Sequence, residues 1–100
     1  MNRTQIIGRL KKKGVTKFQM RVLLATYDVP KGKTITYKEL AKKAGYPGAY
    51  RAVGSVMKMN PLAPTIPCHR VIKSDGSLGN YSNGGTRRKA EMLKAEKALS

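Results

Sequence analysis

Apolar residues recur along this chain at helical rather than strand spacing. Phe18, Val22, Ala25 and Val29 follow one another at intervals of three and four, the period of one buried helix face. Thr16-Lys17-Phe18-Gln19 in front of them has the Thr-x-x-Gln form of a capping box. Pro30 and Gly32 close the segment, so a helix is predicted over 17–28. Thr36-Tyr37-Lys38-Glu39 is a second capping box. The helix behind it, Tyr37 to Ala44, turns Leu40, Ala41 and Ala44 inward, and Gly45 suits its left-handed C-terminal turn. Pro47 fits the first turn of a third helix, predicted over 48–58. Thr86 to Leu99 reads as a last helix, with Ala90, Leu93 and Lys97 on one face and Met92 and Glu96 beside them.

Between these helices the pattern changes. Asn60-Pro61 breaks the third helix, and Pro61, Pro64 and Pro67 predict a stiff, extended stretch. Val71-Ile72 and Leu78 flank Ser74-Asp75-Gly76-Ser77, a hairpin signal that predicts a small wing. Gly79 to Gly85 reads as a loop rich in glycine and asparagine. Residues 1–15 are polar and basic, with Lys11-Lys12-Lys13-Gly14. They are expected to form a solvated leader that also touches phosphates, ahead of a domain spanning 16–100. The class is therefore mainly α, with a short β hairpin.

Two short helices joined by a glycine turn form the helix-turn-helix pattern, whose second helix enters a nucleic-acid groove. That second helix is unusual in carrying Ala49, Ala52, Gly54 and Ser55. Small side chains permit close approach of a nucleic-acid backbone or of another helix, and spacing does not separate the two.

Charge narrows the partner. Among 100 residues, 21 Lys and Arg stand against 5 Asp and Glu, for a net charge of +16. Such an excess predicts a polyanion, DNA or RNA. No apolar run reaches membrane-spanning length. The first residues lack the apolar core of a signal peptide. No membrane partner is expected, and the location is expected to be cytoplasmic and nucleoid-associated, or nuclear in a eukaryote.

Chemistry points to one place. The single cysteine and the single histidine are neighbours in Ile66-Pro67-Cys68-His69-Arg70-Val71. Lone cysteines are often packing material. Here Arg70 and the basic chain favour the reactive thiolate. On a regular strand the two side chains would face opposite ways, so a turn or a bridging water is needed to pass a proton. A histidine base also needs a partner to fix its tautomer. Glu39 and Asp75 are committed to a cap and a turn, leaving Glu91 or Glu96. Spacing does not choose between them. One Cys and one His fall short of a four-ligand zinc site, and no metal or cofactor is expected.

These residues resemble the C-terminal, active-site domain of the O6-alkylguanine-DNA alkyltransferases (methylated-DNA–protein-cysteine methyltransferases). The likeness runs from about Thr16 to Glu96. It centres on Ile66-Pro67-Cys68-His69-Arg70-Val71, with Arg51-Ala52-Val53-Gly54-Ser55-Val56-Met57, Asn60-Pro61 and Gly79-Asn80-Tyr81-Ser82 in the family's order.

The resemblance implies a winged helix-turn-helix that binds double-stranded DNA from the minor groove and flips out an O6-alkylguanine. O4-alkylthymine is a second substrate it allows. Cys68 would accept the alkyl group, once per molecule. His69 would take the thiol proton through a water, oriented by Glu96. Asn60 would tie the second helix to the active-site segment. Tyr37 would donate a hydrogen bond to the leaving guanine and also contact DNA. Arg51 would fill the place vacated in the base stack, and Ala49, Ala52, Gly54 and Ser55 would line the DNA contact. Met57, Pro67, Val71, Tyr81 and Ser82 would wall the alkyl pocket. A monomer is expected.

Two departures from the family pattern stand out. The usual N-terminal domain is missing from this sequence, and the loop Asn83-Gly84-Gly85-Thr86 is one residue longer. Two rival functions remain. One is a lesion sensor that recognises alkylguanine without repairing it, although such proteins lack the acceptor cysteine. The other is a winged-helix DNA-binding factor with an inert thiol.

Overall fold

A computed structural model describes residues 1–76, 78 and 85–96. Five helices and one two-stranded sheet make up the described residues. In order they are α1 (Arg3–Lys12), α2 (Lys17–Tyr27), β1 (Ile35–Thr36), α3 (Tyr37–Lys43), α4 (Tyr50–Met59), β2 (Val71–Ile72) and α5 (Gly85–Ala95). A 3-10 turn, Cys68–Arg70, leads directly into β2.

Both expected capping boxes form. Thr16 and Gln19 cap α2 reciprocally, as Thr36 and Glu39 cap α3. The buried stripe of α2 is Val22, Leu23, Ala25 and Thr26, and α3 contributes Leu40 and Ala41. They meet Val53, Val56 and Met57 of α4 in one core, which continues into Ile66, Cys68 and Val71. The active-site segment is thus packed on the same apolar mass as the helix-turn-helix.

Three sequence expectations are corrected. Residues 1–15 are not a solvated leader. Asn2 and Gln5 form a third capping box, α1 follows, and Ile6 and Leu10 are fully buried. Burying an aliphatic side chain of this size contributes roughly 1.5–3 kcal/mol, so α1 belongs to the core. The small β element also differs from a hairpin. β2 pairs with β1 in parallel, Ile35 opposite Val71 and Thr36 opposite Ile72. The turn at Asp75-Gly76 does form, with the Gly76 amide donating to Lys73 O at 3.0 Å and Gly76 at φ +89°. Leu78, however, is in no strand. Lastly, Pro47 lies ahead of α4 rather than in its first turn. Gly48 at φ +88° reverses the chain, and the helix starts at Tyr50. The loop residues Gly79 to Gly84 and the last expected helical residues, Lys97 to Leu99, lie outside the described residues.

Candidate active site

Cys68 opens the 3-10 turn that joins the proline segment to β2. Successive side chains on such a turn point about a third of a revolution apart, not to opposite faces as on a strand. Cys68 thereby faces a cavity while His69 and Arg70 turn toward α5. The cavity has a volume of about 870 Å³ and is walled by Tyr37, Arg51, Gly54, Ser55, Met57 and Cys68. Lys38, Lys58 and Lys73 bring further positive charge to its margin, beside the Tyr50 ring and Asp75. On the face that α4 turns to it, Gly54 and Ser55 leave room between Arg51 and Lys58, while Val53 and Val56 face the core.

Asn60 terminates α4 and holds the segment that delivers Cys68. Its side-chain amide donates to Ile66 O at 2.8 Å, and its Oδ1 accepts from the Leu62 amide at 3.1 Å. The turn from 60 to 66 is thereby closed at both ends, through a cis Ala63-Pro64 peptide. Ile66 O in turn accepts from the Cys68 amide at 2.8 Å.

Behind Cys68 lies a cluster of His69, Arg70 and Glu96. His69 is 2% exposed, and its Nε2 lies 3.0 Å from Glu96 Oε1. Arg70 grips the same carboxylate with two bonds, Nε to Oε1 at 2.9 Å and Nη2 to Oε2 at 2.6 Å. The third guanidinium nitrogen, Nη1, donates to Val29 O at 2.8 Å. Of the two glutamates left open by spacing, Glu96 meets His69, whereas Glu91 pairs with Arg87 and Arg88 on the exposed side of α5.

The electrostatics follow from this packing. The Arg70 hydrogen bonds hold the Glu96 carboxyl down to about 2, with His69 adding to the effect against the cost of burial. Burial pushes the His69 imidazole down despite Glu96, so it is neutral, and basic, near pH 7. Burial pushes the Cys68 thiol up, while Asn60, the Lys89 charge and its own backbone pull it back.

Lys89 was not singled out by sequence reasoning. It is fully buried on α5, and its Nζ has no hydrogen-bond partner among the described residues. The ammonium sits 5.8 Å from the Tyr37 ring centre, within cation–π range. Burial lowers its pKa to about 8, against the pull of Cys68. Tyr37 is pushed up by burial and, secondarily, by Cys68. Cys68, Tyr37 and Lys89 therefore form one coupled group.

A family model for the 6-O-methylguanine DNA methyltransferase DNA-binding domain matches residues 17–98. The chain belongs to this family. A methylated-DNA–protein-cysteine methyltransferase of Methanosarcina barkeri is 54% identical over 69 residues, covering 69% of this chain and 44% of that protein. The crystal structure of Mycobacterium tuberculosis OGT in complex with DNA superposes with a TM-score of 0.80 at 46% identity. That match covers 84% of this chain and 52% of the other. Schizosaccharomyces pombe Atl1, solved in complex with damaged DNA containing O6-carboxymethylguanine, gives a TM-score of 0.67 at 33% identity. It covers 79% of this chain and 74% of Atl1. The chain thus spans about half the length of the methyltransferase relatives described here.

Most of the family's expected site residues come together in this methyltransferase-family domain. Cys68, Tyr37, Arg51, Gly54, Ser55 and Met57 line the cavity. Asn60, His69 and Glu96 stand behind its wall. Pro67 and Val71 are buried beside Cys68, with Val71 held in the sheet. Ala49 and Ala52 do not line the cavity; Ala49 is the N-cap of α4 and Ala52 is exposed on it. Tyr81 and Ser82 lie outside the described residues. Sequence reasoning did not anticipate that Arg70 binds Glu96 or that Lys89 is buried against the Tyr37 ring. Lys89 stands four residues before Leu93, on the inward stripe of α5, but one lysine among many gave no reason to mark it.

Proposed function

We propose that this chain repairs alkylated DNA by transferring the alkyl group of O6-alkylguanine to Cys68, once per molecule. One observation carries the reading. The chain's only thiol opens into a base-sized cavity walled by α4 and backed by a His69–Glu96 pair. Cavities of roughly 300–1,000 Å³ suit ligands of that size. Chemistry on the O6 substituent requires the base to leave the duplex. Arg51, exposed on α4 at the cavity margin, is placed to occupy the gap. The excess of cations supplies sequence-independent affinity for duplex DNA.

The transfer is a single displacement. With Nε2–H held toward Glu96, the basic lone pair of His69 is on Nδ1. The imidazole takes the Cys68 proton through an intervening water. The Lys89 ammonium stabilises the resulting thiolate. Sulfur then attacks the alkyl carbon, a sulfur–carbon bond forms, and the carbon–O6 bond breaks with its electron pair going to guanine. The Tyr37 hydroxyl, made a firmer proton holder by burial, donates a hydrogen bond to O6 as charge develops there. The proton that His69 took from Cys68 is returned through water to the displaced guanine anion, which becomes the keto tautomer. The thioether on Cys68 is chemically stable, so no second turnover follows. O4-alkylthymine can undergo the same displacement if it enters the cavity.

A second reading is supported by the likeness to Atl1: lesion binding without repair. The cavity-facing Cys68 favours transfer. The deciding experiment incubates the protein with a short duplex carrying O6-methylguanine and records intact mass and a peptide map. A single methyl on Cys68, absent from Cys68→Ser, is the expected result. Lesion-selective binding with no mass change would replace repair by sensing.

A further inference from the structure

We propose that the Lys11-Lys12-Lys13 cluster at the α1–α2 turn is a second phosphate-binding surface, which extends the DNA contact beyond the groove of α4. The proposal rests on the DNA-binding reading above. It concerns a part of the chain that precedes the family match, which begins at residue 17.

Three observations carry it. First, residues 1–27 contain seven Lys and Arg and no Asp or Glu. Lys11, Lys12 and Lys13 are all exposed, and no ion pair among the described residues involves them. Second, helix electrostatics account for only part of the charge. Lys11 and Lys12 do complement the negative end of α1, but Lys17 stands in the first turn of α2, which has no acidic residue. A cation there opposes the helix dipole. No ion pair among the described residues offsets that cost, whereas a bound phosphate would reverse the sign.

Third, the cluster is structurally continuous with the helix-turn-helix. Phe18, the next residue after Lys17, meets the Tyr46 ring edge-on at 4.8 Å, and the Arg21 guanidinium lies 6.0 Å from that ring. Tyr46 belongs to the turn between α3 and α4. Arg21 also shares a small cleft with Lys43, at the end of α3. The start of α2, next to the cluster, therefore packs against the turn that launches α4, with Lys17, Arg21 and Lys43 forming a basic ridge between them. The burial of Ile6 and Leu10 fixes α1 in that place, so its lysines are presented rather than trailing. A duplex lying against α4 would meet this ridge with its flanking backbone.

The test compares K11Q/K12Q/K13Q with a control of equal charge, K31Q/K33Q/K94Q, whose lysines are exposed elsewhere. Affinity for an undamaged duplex is measured against salt concentration, and methyl transfer is measured at saturating O6-methylguanine duplex. Each phosphate contact contributes about 0.9 to the log–log slope. Loss of about 2 to 3 from the slope in the first variant, with less than about 1 lost in the control, is the expected result. Transfer at saturation should match wild type in both. An unchanged slope in a variant that still transfers methyl groups overturns the proposal and leaves the repair reading intact. Equal losses in both variants also overturn it, reducing the cluster to net charge. A wild-type protein that neither binds DNA nor accepts methyl groups would sink the repair reading itself.

Discussion

Arg70 and Glu96, 26 residues apart, are joined by two parallel hydrogen bonds of 2.9 and 2.6 Å. The fork fixes the carboxylate that contacts His69 at 3.0 Å. It also ties α5 to the turn that carries Cys68, so one ion pair positions the histidine and closes the fold around it. Paired geometry of this kind is stronger than a single charged contact. Arg70 thus acts through Glu96 and His69 as a positioning residue.

Acid should therefore weaken the fold through Glu96. Its carboxyl has a folded pKa of about 2 against 4.5 for the ordinary group. The unfolded chain takes up the proton first as pH falls, so this stabilisation is complete above about 4.5 and is lost on approaching 2. At about 1.4 kcal/mol per pKa unit, it amounts to on the order of 3–4 kcal/mol, less what solvent screens at this partly exposed carboxylate. Denaturant titrations of wild type and Glu96→Gln should differ by about that much near neutrality, and the gap should close as pH approaches 2. A gap that stays constant with pH would show that the carboxylate charge is not what stabilises the contact.

The transfer rate should hold its full value to a lower pH than a free histidine would allow. Burial lowers the His69 pKa below 6.5, so the neutral base persists as pH falls through that value. Single-turnover transfer at saturating duplex should show no acid-side decline until pH falls below about 6.5. Glu96→Gln removes a group that favours the protonated ring and should move the acid limb lower still, while slowing transfer. An acid limb above 6.5 would exclude His69 as the group that titrates.

Lys89→Met should stabilise the protein and impair its chemistry. A buried ammonium without a hydrogen-bond partner is costly, and methionine fills similar space. In the wild type the folded lysine loses its proton near pH 8, below the unfolded value of 10.5. Stability from this group thus rises with pH between those values and is lowest below them. The variant should gain melting temperature most at pH 7, with the advantage shrinking by pH 10. Without the cation, the Cys68 thiol should titrate higher still, and transfer at pH 7 should slow by at least about tenfold. Unchanged thiol reactivity toward a small haloacetamide would remove Lys89 from the mechanism.

Leu10→Ala tests whether α1 is part of the core. A leucine with no exposed surface should cost about 2–5 kcal/mol on truncation. Chemical denaturation would measure it. A cost under about 0.5 kcal/mol, the usual range for a surface site, would mean that α1 is not held to the domain in solution.

Local chemistry made much of the fold legible. Thr16-x-x-Gln19 and Thr36-x-x-Glu39 announced two helix starts because a capping box satisfies its own backbone amides within four residues. The N-terminal helix had signals too, Asn2-x-x-Gln5 and the Ile6/Leu10 pair. Its lysines outweighed them, since only contact with α2 makes that short apolar stripe worth burying. The hairpin expectation had the turn at Gly76 right and the strand partner wrong. A turn is set by its own residues, whereas Val71-Ile72 found its partner 36 positions upstream.

The same division governs the site. Residue type and short spacing were enough to single out the Cys68–His69 pair, the capping-box starts of α2 and α3, Gly54 and Ser55 on α4, and the family. The family resemblance had already chosen Glu96 over Glu91 for His69, and the structure places that contact at 3.0 Å; that Arg70 holds Glu96 and that Lys89 lies buried beside Tyr37 came from the packing of the chain alone. Those relationships join α5 to segments tens of residues away. They depend on how α5 docks and on which charges lose water when it does, and neither is written in local spacing.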